Sequence, residues 1–207
     1  MNTLDILKLL QSEIHSTVFA TVDSQGHPQT CVIDLMLADE TGLFFLTAKG
    51  KSFYDRLAAH CVISLTGLRG TDTLSSFAIS LRGQVRSIGQ DRLDEIFEKN
   101  PYMARIYPTE KSRKALEVFQ IYAGEGEYFD LREQPPFRQS FSFGAAEVHR
   151  TGYRIRPEQC IGCQGCRSVC PSGCITNTIP RRIDAAHCLH CGNCLRICPV
   201  KAVEKIG

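Results

Sequence analysis

Leu4, Leu7, Leu10 and Ile14 recur at helical spacing behind a capping residue at Asn2 or Thr3, so the chain opens on an amphipathic helix. The period then shortens to that of strands. "STVFATVD" is closed by the turn "SQGHP", "QTCVIDLMLA" is closed by "DETG", and "LFFLTA" follows. The residues after Gly50 read as a helix. "CVISLTGL" and "SFAISLRGQVRSI" are two further strands, and "LEVFQIYAGEGEYFDL" is a long strand or a hairpin. Before that last strand, "DRLDEIFEKN" and "MARIYPTEKSRKAL" predict a helical hairpin broken at Pro101 and Pro108. About six strands with closely spaced turns predict a barrel. From Arg132 to Gly152 the pattern dissolves into a Pro pair, serines, glycines and scattered aromatics. This stretch is expected to connect two domains, with Phe137, Phe141 and Phe143 as packing anchors. The expected division is a first domain over 1–131, a linker over 132–152 and a second domain over 153–207.

Composition narrows the class. A chain of 207 residues with 43% hydrophobic content can bury a core in one large or two smaller domains. A net charge of +2 is too weak to argue for nucleic acid or a membrane surface. The opening "MNTLDILKLLQSEI" lacks a basic n-region, and no stretch approaches the roughly 18 apolar residues of a spanning helix. The expectation is a cytoplasmic protein with reduced thiols. Nine of the eleven cysteines follow position 159. A disulfide framework fits that compartment poorly, and clustered cysteines there bind metal or do redox chemistry.

The cysteines repeat. Cys160, Cys163, Cys166, Cys170 and Pro171 are matched, at one constant offset, by Cys188, Cys191, Cys194, Cys198 and Pro199. This duplicated C-x2-C-x2-C-x3-C-P run resembles the two-cluster bacterial ferredoxins over residues 153–207. In that signature the fourth Cys of each run ligates the other cluster. Three thiolates from one tight loop reach three irons of a cube, and the fourth iron faces away. The resemblance therefore implies two [4Fe–4S] clusters, one on Cys160, Cys163, Cys166 and Cys198, the other on Cys188, Cys191, Cys194 and Cys170. The same offset carries Cys174 onto Ala202, a small residue with no ligand capacity. Cys174 is expected to pack as a small apolar side chain. Zinc is the alternative metal, but zinc ribbons take four ligands per ion from two C-x2-C pairs. "YRI" and "VEKI" are expected to pair as short end strands, and His187 and His190 to lie at the surface or behind the ligands. Arg167, Arg181, Arg182 and Arg196 surround the cassette, where cations raise a cluster's potential unless they are simply solvated.

The stretch 1–130 shows no nucleophile–base pair and no G-x-G-x-x-G. Two lysines and two hydroxyls, Thr47, Lys49, Lys51 and Ser52, lie at a strand-to-helix turn. Helix amides and cations suit a phosphate; a plain N-cap by Ser52 is the alternative. The element order from "VFATVDSQGHPQTCVIDLMLA" through "LFFLTAKGKSFYDRLAAH" to "SFAISLRGQVRSI" resembles the pyridoxamine 5′-phosphate oxidase-like flavin-binding split barrels. The resemblance implies an α+β fold, an FMN-binding split β-barrel with flanking helices, followed by the small two-cluster ferredoxin-type domain. It implies that Lys51 and Ser52 contact the FMN phosphate, that Thr47 and Lys49 sit on the phosphate and ribityl side, and that Val32, Ile33 and Asp34 face the flavin ring. It further implies a homodimer with two FMN at its interface. Ser52 and Phe53 replace the Arg/Lys pair of true pyridoxamine phosphate oxidases, which argues against vitamin B6 chemistry.

Flavins handle two electrons and clusters one. Joining them in one chain predicts an oxidoreductase that moves electrons between two [4Fe–4S] clusters and FMN, with an external ferredoxin or oxidoreductase as donor or acceptor and a small molecule as substrate. The alternative is an electron-transfer or redox-sensing module with no small substrate. No catalytic acid or base is evident, though Tyr54, Tyr102 and Tyr107 carry protons.

Overall fold

The computed structural model describes residues 1–207. Asn2 caps α1 (Thr3–Leu9): its side chain accepts from the Asp5 amide and the Asp5 carboxylate accepts from the Asn2 amide. A π-helical turn over Leu10–Ile14 follows and ends at His15, whose φ of 61° is unusual for a side chain with a Cβ. The strands then come in order: β1 (Ser16–Val22), β2 (Pro28–Asp34), β3 (Leu37–Asp39) and β4 (Gly42–Ala48). Helix α2 (Ser52–Ala59) leads to β5 (Val62–Arg69) and β6 (Phe77–Ser87). Where the pattern predicts a helical hairpin there are three short helices, α3 (Leu93–Lys99), α4 (Met103–Ile106) and α5 (Glu110–Arg113). Pro101 and Pro108 cannot donate to a helical ladder, and Thr109 with Ser112 forms a fresh capping box that restarts the chain as α5.

The long segment is one strand, β7 (Leu116–Asp130), not a hairpin. Its glycines serve packing rather than a turn: a Cβ at Gly126 would come within 2.7 Å of the Phe141 ring. Phe141 belongs to β8 (Phe137–Phe143), which forms inside the expected connection and pairs with β7. The sheet runs β2-β1-β5-β6-β7-β4-β3, with β8 added on β7.

β4 is buried along nearly its whole length because both its faces are covered. One face holds Phe45, which stacks on Phe119 at 5.6 Å and meets Phe19 at 4.9 Å. The other holds Phe44 and Leu46, packed with Leu93, Ile96 and Met103 of the short helices. Each such side chain contributes about 1.5–3 kcal/mol of apolar burial. Gly83 on β6 allows close approach of β7, since a Cβ there would lie 2.7 Å from Ile121.

The chain divides into two compact units. The first is Met1–Arg69 with Ala78–Glu127 and Phe141–Glu147; the second is Val148–Gly207 with Gly70–Phe77 and Tyr128–Ser140. In the second, β9 (Gly152–Ile155) and β10 (Val203–Ile206) pair antiparallel, as "YRI" and "VEKI" predict. Between them lie the short helices α6 (Gly165–Ser168) and α7 (Asn193–Ile197) and an Ile175–Ile183 bridge. The core of this unit is small and sulfur-rich: Cys166, Cys174, Cys188 and Cys194 are buried with Ile155, Ile175 and Val203.

Candidate functional site

The first unit offers a cationic strand-to-helix turn. α2 starts without a side-chain cap: the N-cap is Lys51, not Ser52. No side chain caps its first backbone N–H groups. Phe53 and Leu57 bury one side of α2, which leaves Lys51, Ser52 and Arg56 toward the β1–β2 end of the sheet. Arg56 donates from Nε to Thr21 Oγ1 at 2.7 Å. A depression here is lined by Gln29, Ser52, Asp55 and Arg56 together with the Asp23 turn. Burial pushes the Cys31 thiol of β2 up, while the charges of Arg56 and Lys51 pull against that shift.

Thr47 and Lys49 separate from that pair. Thr47 is buried, and its Oγ1 has no partner in the protein. Lys49 instead pairs with the buried Glu117 at 3.0 Å. Glu117 also accepts from Ser87 and from the Tyr54 hydroxyl, and these contacts, the Ser87 bond foremost, hold its carboxyl below the usual carboxylate range. The β4–β7 register, which sets Thr47 opposite Glu117, brings this group together.

On β2 the pleat divides the three expected ring-facing residues. Val32 and Asp34 share one face, and Ile33 points to the other. Val32 is 65% exposed and stands opposite Val18 of β1. With Val22, Val62 and Leu68 these form an exposed apolar stripe on β2, β1 and β5. Asp34 closes the stripe with a polar cluster. Its carboxylate accepts from Ser16 at 2.6 Å and from the Tyr102 hydroxyl at 3.0 Å, and His15 Nε2 lies 3.0 Å from the same hydroxyl. Burial, then the bond to Asp34, raises the Tyr102 hydroxyl well above its ordinary range. His15 sits in a strained backbone conformation, a state that persists where surrounding structure over-determines it.

The second unit contains two small cavities of similar size, about 20 Å³ and 10 Å³. Cys160, Cys163, Cys166 and Cys198 line the first. Cys170, Cys188, Cys191 and Cys194 line the second. Each cavity thus takes three sulfurs from one loop and one from the other half of the repeat. No three His, Cys, Asp or Glu side chains converge as tightly as a single metal ion requires. Four thiols, three from one tight loop and one from the other half, are the donor set that an iron–sulfur cluster takes.

Cys174 is buried, as expected of a small side chain, yet it is not a bystander. It lines the second cavity, its Sγ lies 3.5 Å from that of Cys170, and it shares a hydrogen bond with Cys188. His187 Nδ1 lies 3.3 Å from the Pro136 carbonyl, outside both cavities.

Comparison with known proteins agrees with both units. A NimC/NimA family protein of Clostridium acetobutylicum superposes with a TM-score of 0.56 at 15% identity, over 68% of this chain and 92% of that one. A heme-binding protein of Mycobacterium smegmatis superposes with a TM-score of 0.52 at 13% identity, over 66% of this chain and 56% of that one. At these identities the likeness concerns the fold. A 4Fe-4S dicluster domain family matches residues 152–199. Barrel and cysteine cavities together define an oxidoreductase-like class, a flavin-binding split-barrel fold joined to an iron–sulfur domain. Residues 6–130 match the pyridoxamine 5′-phosphate oxidase family, and the chain belongs to that family. Among curated relatives, pyridoxine/pyridoxamine 5′-phosphate oxidase 1 of Ralstonia nicotianae is 25% identical over 160 residues, 74% of this chain and 68% of that protein.

Proposed function

We propose that this chain is an FMN- and iron–sulfur-dependent oxidoreductase that passes electrons between two [4Fe–4S] clusters and FMN to reduce a small molecule. The observation that carries the reading is the pair of four-cysteine cavities in the same polypeptide as a flavin-family barrel. Cys160, Cys163, Cys166 and Cys198 would hold one cluster, and Cys170, Cys188, Cys191 and Cys194 the other. Lys51, Ser52 and the uncapped start of α2 would hold the FMN phosphate, with Arg56 one turn further on, and the unpartnered Thr47 hydroxyl would donate on the same side. Lys49, being paired with Glu117, would position that turn rather than touch phosphate. Bound flavin would supply two-electron chemistry and the clusters one-electron transfer.

The protein's own groups do the rest. Val32 would present an apolar surface to the flavin ring and Ile33 would pack behind it. The Asp34–Tyr102–His15 cluster would fix the polar end of β2 beside the flavin ring, the Tyr102 hydroxyl donating to Asp34. The apolar stripe of Val18, Val22, Val32 and Val62 supports a homodimer, since such a patch on a sheet face marks an interaction surface. No helix is long and apolar enough to cross a membrane. The reading places the protein in the cytoplasm, exchanging electrons with a ferredoxin or another oxidoreductase.

Anaerobic purification with iron, sulfide and flavin quantified tests this directly. The expected result is about eight irons and one FMN per chain, with turnover of an electron-poor acceptor under a one-electron reductant. Zinc in place of iron, or a barrel that takes up no flavin, would overturn it.

A further inference from the structure

The two cavities are not equivalent, and the difference is a buried charge. Arg181 is 2% exposed and lines the cavity of Cys160, Cys163, Cys166 and Cys198. Its guanidinium donates from Nη1 to the Thr176 carbonyl at 3.1 Å and to Asn177 Oδ1 at 3.5 Å. It donates from Nη2 to the Gly162 carbonyl at 3.2 Å, inside the loop that carries Cys160 and Cys163. Its Nε has no partner. All of these acceptors are neutral, and no carboxylate is among them.

A guanidinium cannot shed its charge, and a buried cation without a counter-charge is strongly destabilising. The side chain is therefore short of one negative partner, and the cavity it lines is ringed by four thiols. A cluster held by four thiolates is anionic, so the cation and the site complete one another.

The other cavity has no such group. The offset of the repeat, run backwards from Arg181, lands on Tyr153, which lines the cavity of Cys170, Cys188, Cys191 and Cys194. No Lys, Arg or His lines that cavity, and Cys174 stands there where the first has Ala202. The repeat that makes the ligand sets alike thus leaves their electrostatics unlike.

We propose that Arg181 is the buried counter-charge of the Cys160 ligand set and lifts the reduction potential of its cluster above that of the Cys170 set. One electron supplied to the oxidised domain would then reside mainly on the Cys160 side, which becomes the reservoir, while the Cys170 side becomes the more reducing relay. The inference rests on the two-cluster reading above. Iron and sulfide content tests that reading separately, before any potential is measured.

The experiment is an EPR-monitored redox titration of the full chain, loaded anaerobically, as wild type, Arg181→Met and Arg181→Lys. Cys198→Ser, which removes a ligand of the Cys160 set, identifies the step belonging to the other cluster. Wild type is expected to show two one-electron steps. In Arg181→Met the upper step should fall by at least tenfold in equilibrium constant, about 59 mV for one electron. The lower step should stay in place, and Arg181→Lys should restore most of the shift. A fully loaded Arg181→Met protein whose two steps do not move, or move together, overturns the proposal. Should Arg181→Met lose its iron, Tyr153→Lys decides. A cation at the equivalent place should raise the lower step, and no movement there overturns the proposal.

Discussion

Cys198 and Cys170 each sit in one half of the repeat and line the cavity of the other half. Cys198→Ser and Cys170→Ser should therefore each cost one cluster, about four of about eight irons, and the cluster lost should be the one on the opposite triplet. Iron analysis with EPR of the reduced variants checks this; loss of the cluster on the same triplet would refute the crossing. At the other site, Lys51→Gln and Arg56→Gln should each weaken FMN binding at least tenfold, about 1.4 kcal/mol, and leave riboflavin binding nearly unchanged. Flavin fluorescence titration reads both ligands. Equal loss for FMN and riboflavin would mean that the cations shape the fold and do not hold phosphate.

The difference between these two sites in legibility is physical. Three sulfurs of each proposed ligand set are spaced within one loop, so the repeat displays them without a fold, while the crossed fourth is what the ferredoxin resemblance implies. Lys49 points to phosphate only because it neighbours Lys51 in sequence. Its actual partner, Glu117, arrives through the pairing of β4 with β7, a contact between distant segments. Arg56 does not stand out in the sequence pattern, although it follows Ser52 by one helical turn, a spacing that could have singled it out.

At the scale of elements, β8 shows what hides a strand. Phe137, Phe141 and Phe143 share the strand parity of one face, but Arg138, Gln139 and the serines dilute the run and a Pro pair precedes it. The strand exists because β7 runs on past Ile121, where its pairing with β4 ends, and carries glycines that admit the phenylalanine rings. The exposed stripe on β1, β2 and β5 is the complementary case, apolar side chains left in the open on a sheet face. Val18→Lys combined with Val62→Lys should convert a dimer to a monomer in sedimentation equilibrium, while the barrel keeps its circular dichroism. A wild-type monomer, or an unaffected dimer, would remove the interface from this face.

The second unit depends on a different kind of element. Its buried core includes Cys166, Cys188 and Cys194 among few apolar side chains. The iron–sulfur clusters would thus serve as its core, and removing them should unfold it. Hydrogen exchange after anaerobic chelation should show lost protection across 152–206 and retained protection in β1, β4 and β7. Retained protection across 152–206 would show that the unit holds itself together without metal.

At the scale of the whole molecule, the sequence already contains the main argument: a flavin-family barrel and a dicluster domain share one chain. What it could not convey is how unequal the two halves of the cassette are. That emerges only when Arg181, which lies between the two cysteine runs, folds back to line the first cavity. The coupling between units is best tested by anaerobic rapid mixing of the loaded chain with a one-electron reductant, following cluster and flavin absorbance together. The account predicts that flavin reduction follows cluster reduction at no less than the turnover rate, and slows at least tenfold in Cys170→Ser, which removes the relay cluster. Clusters that reduce fully while flavin stays oxidised over many turnover times would contradict it.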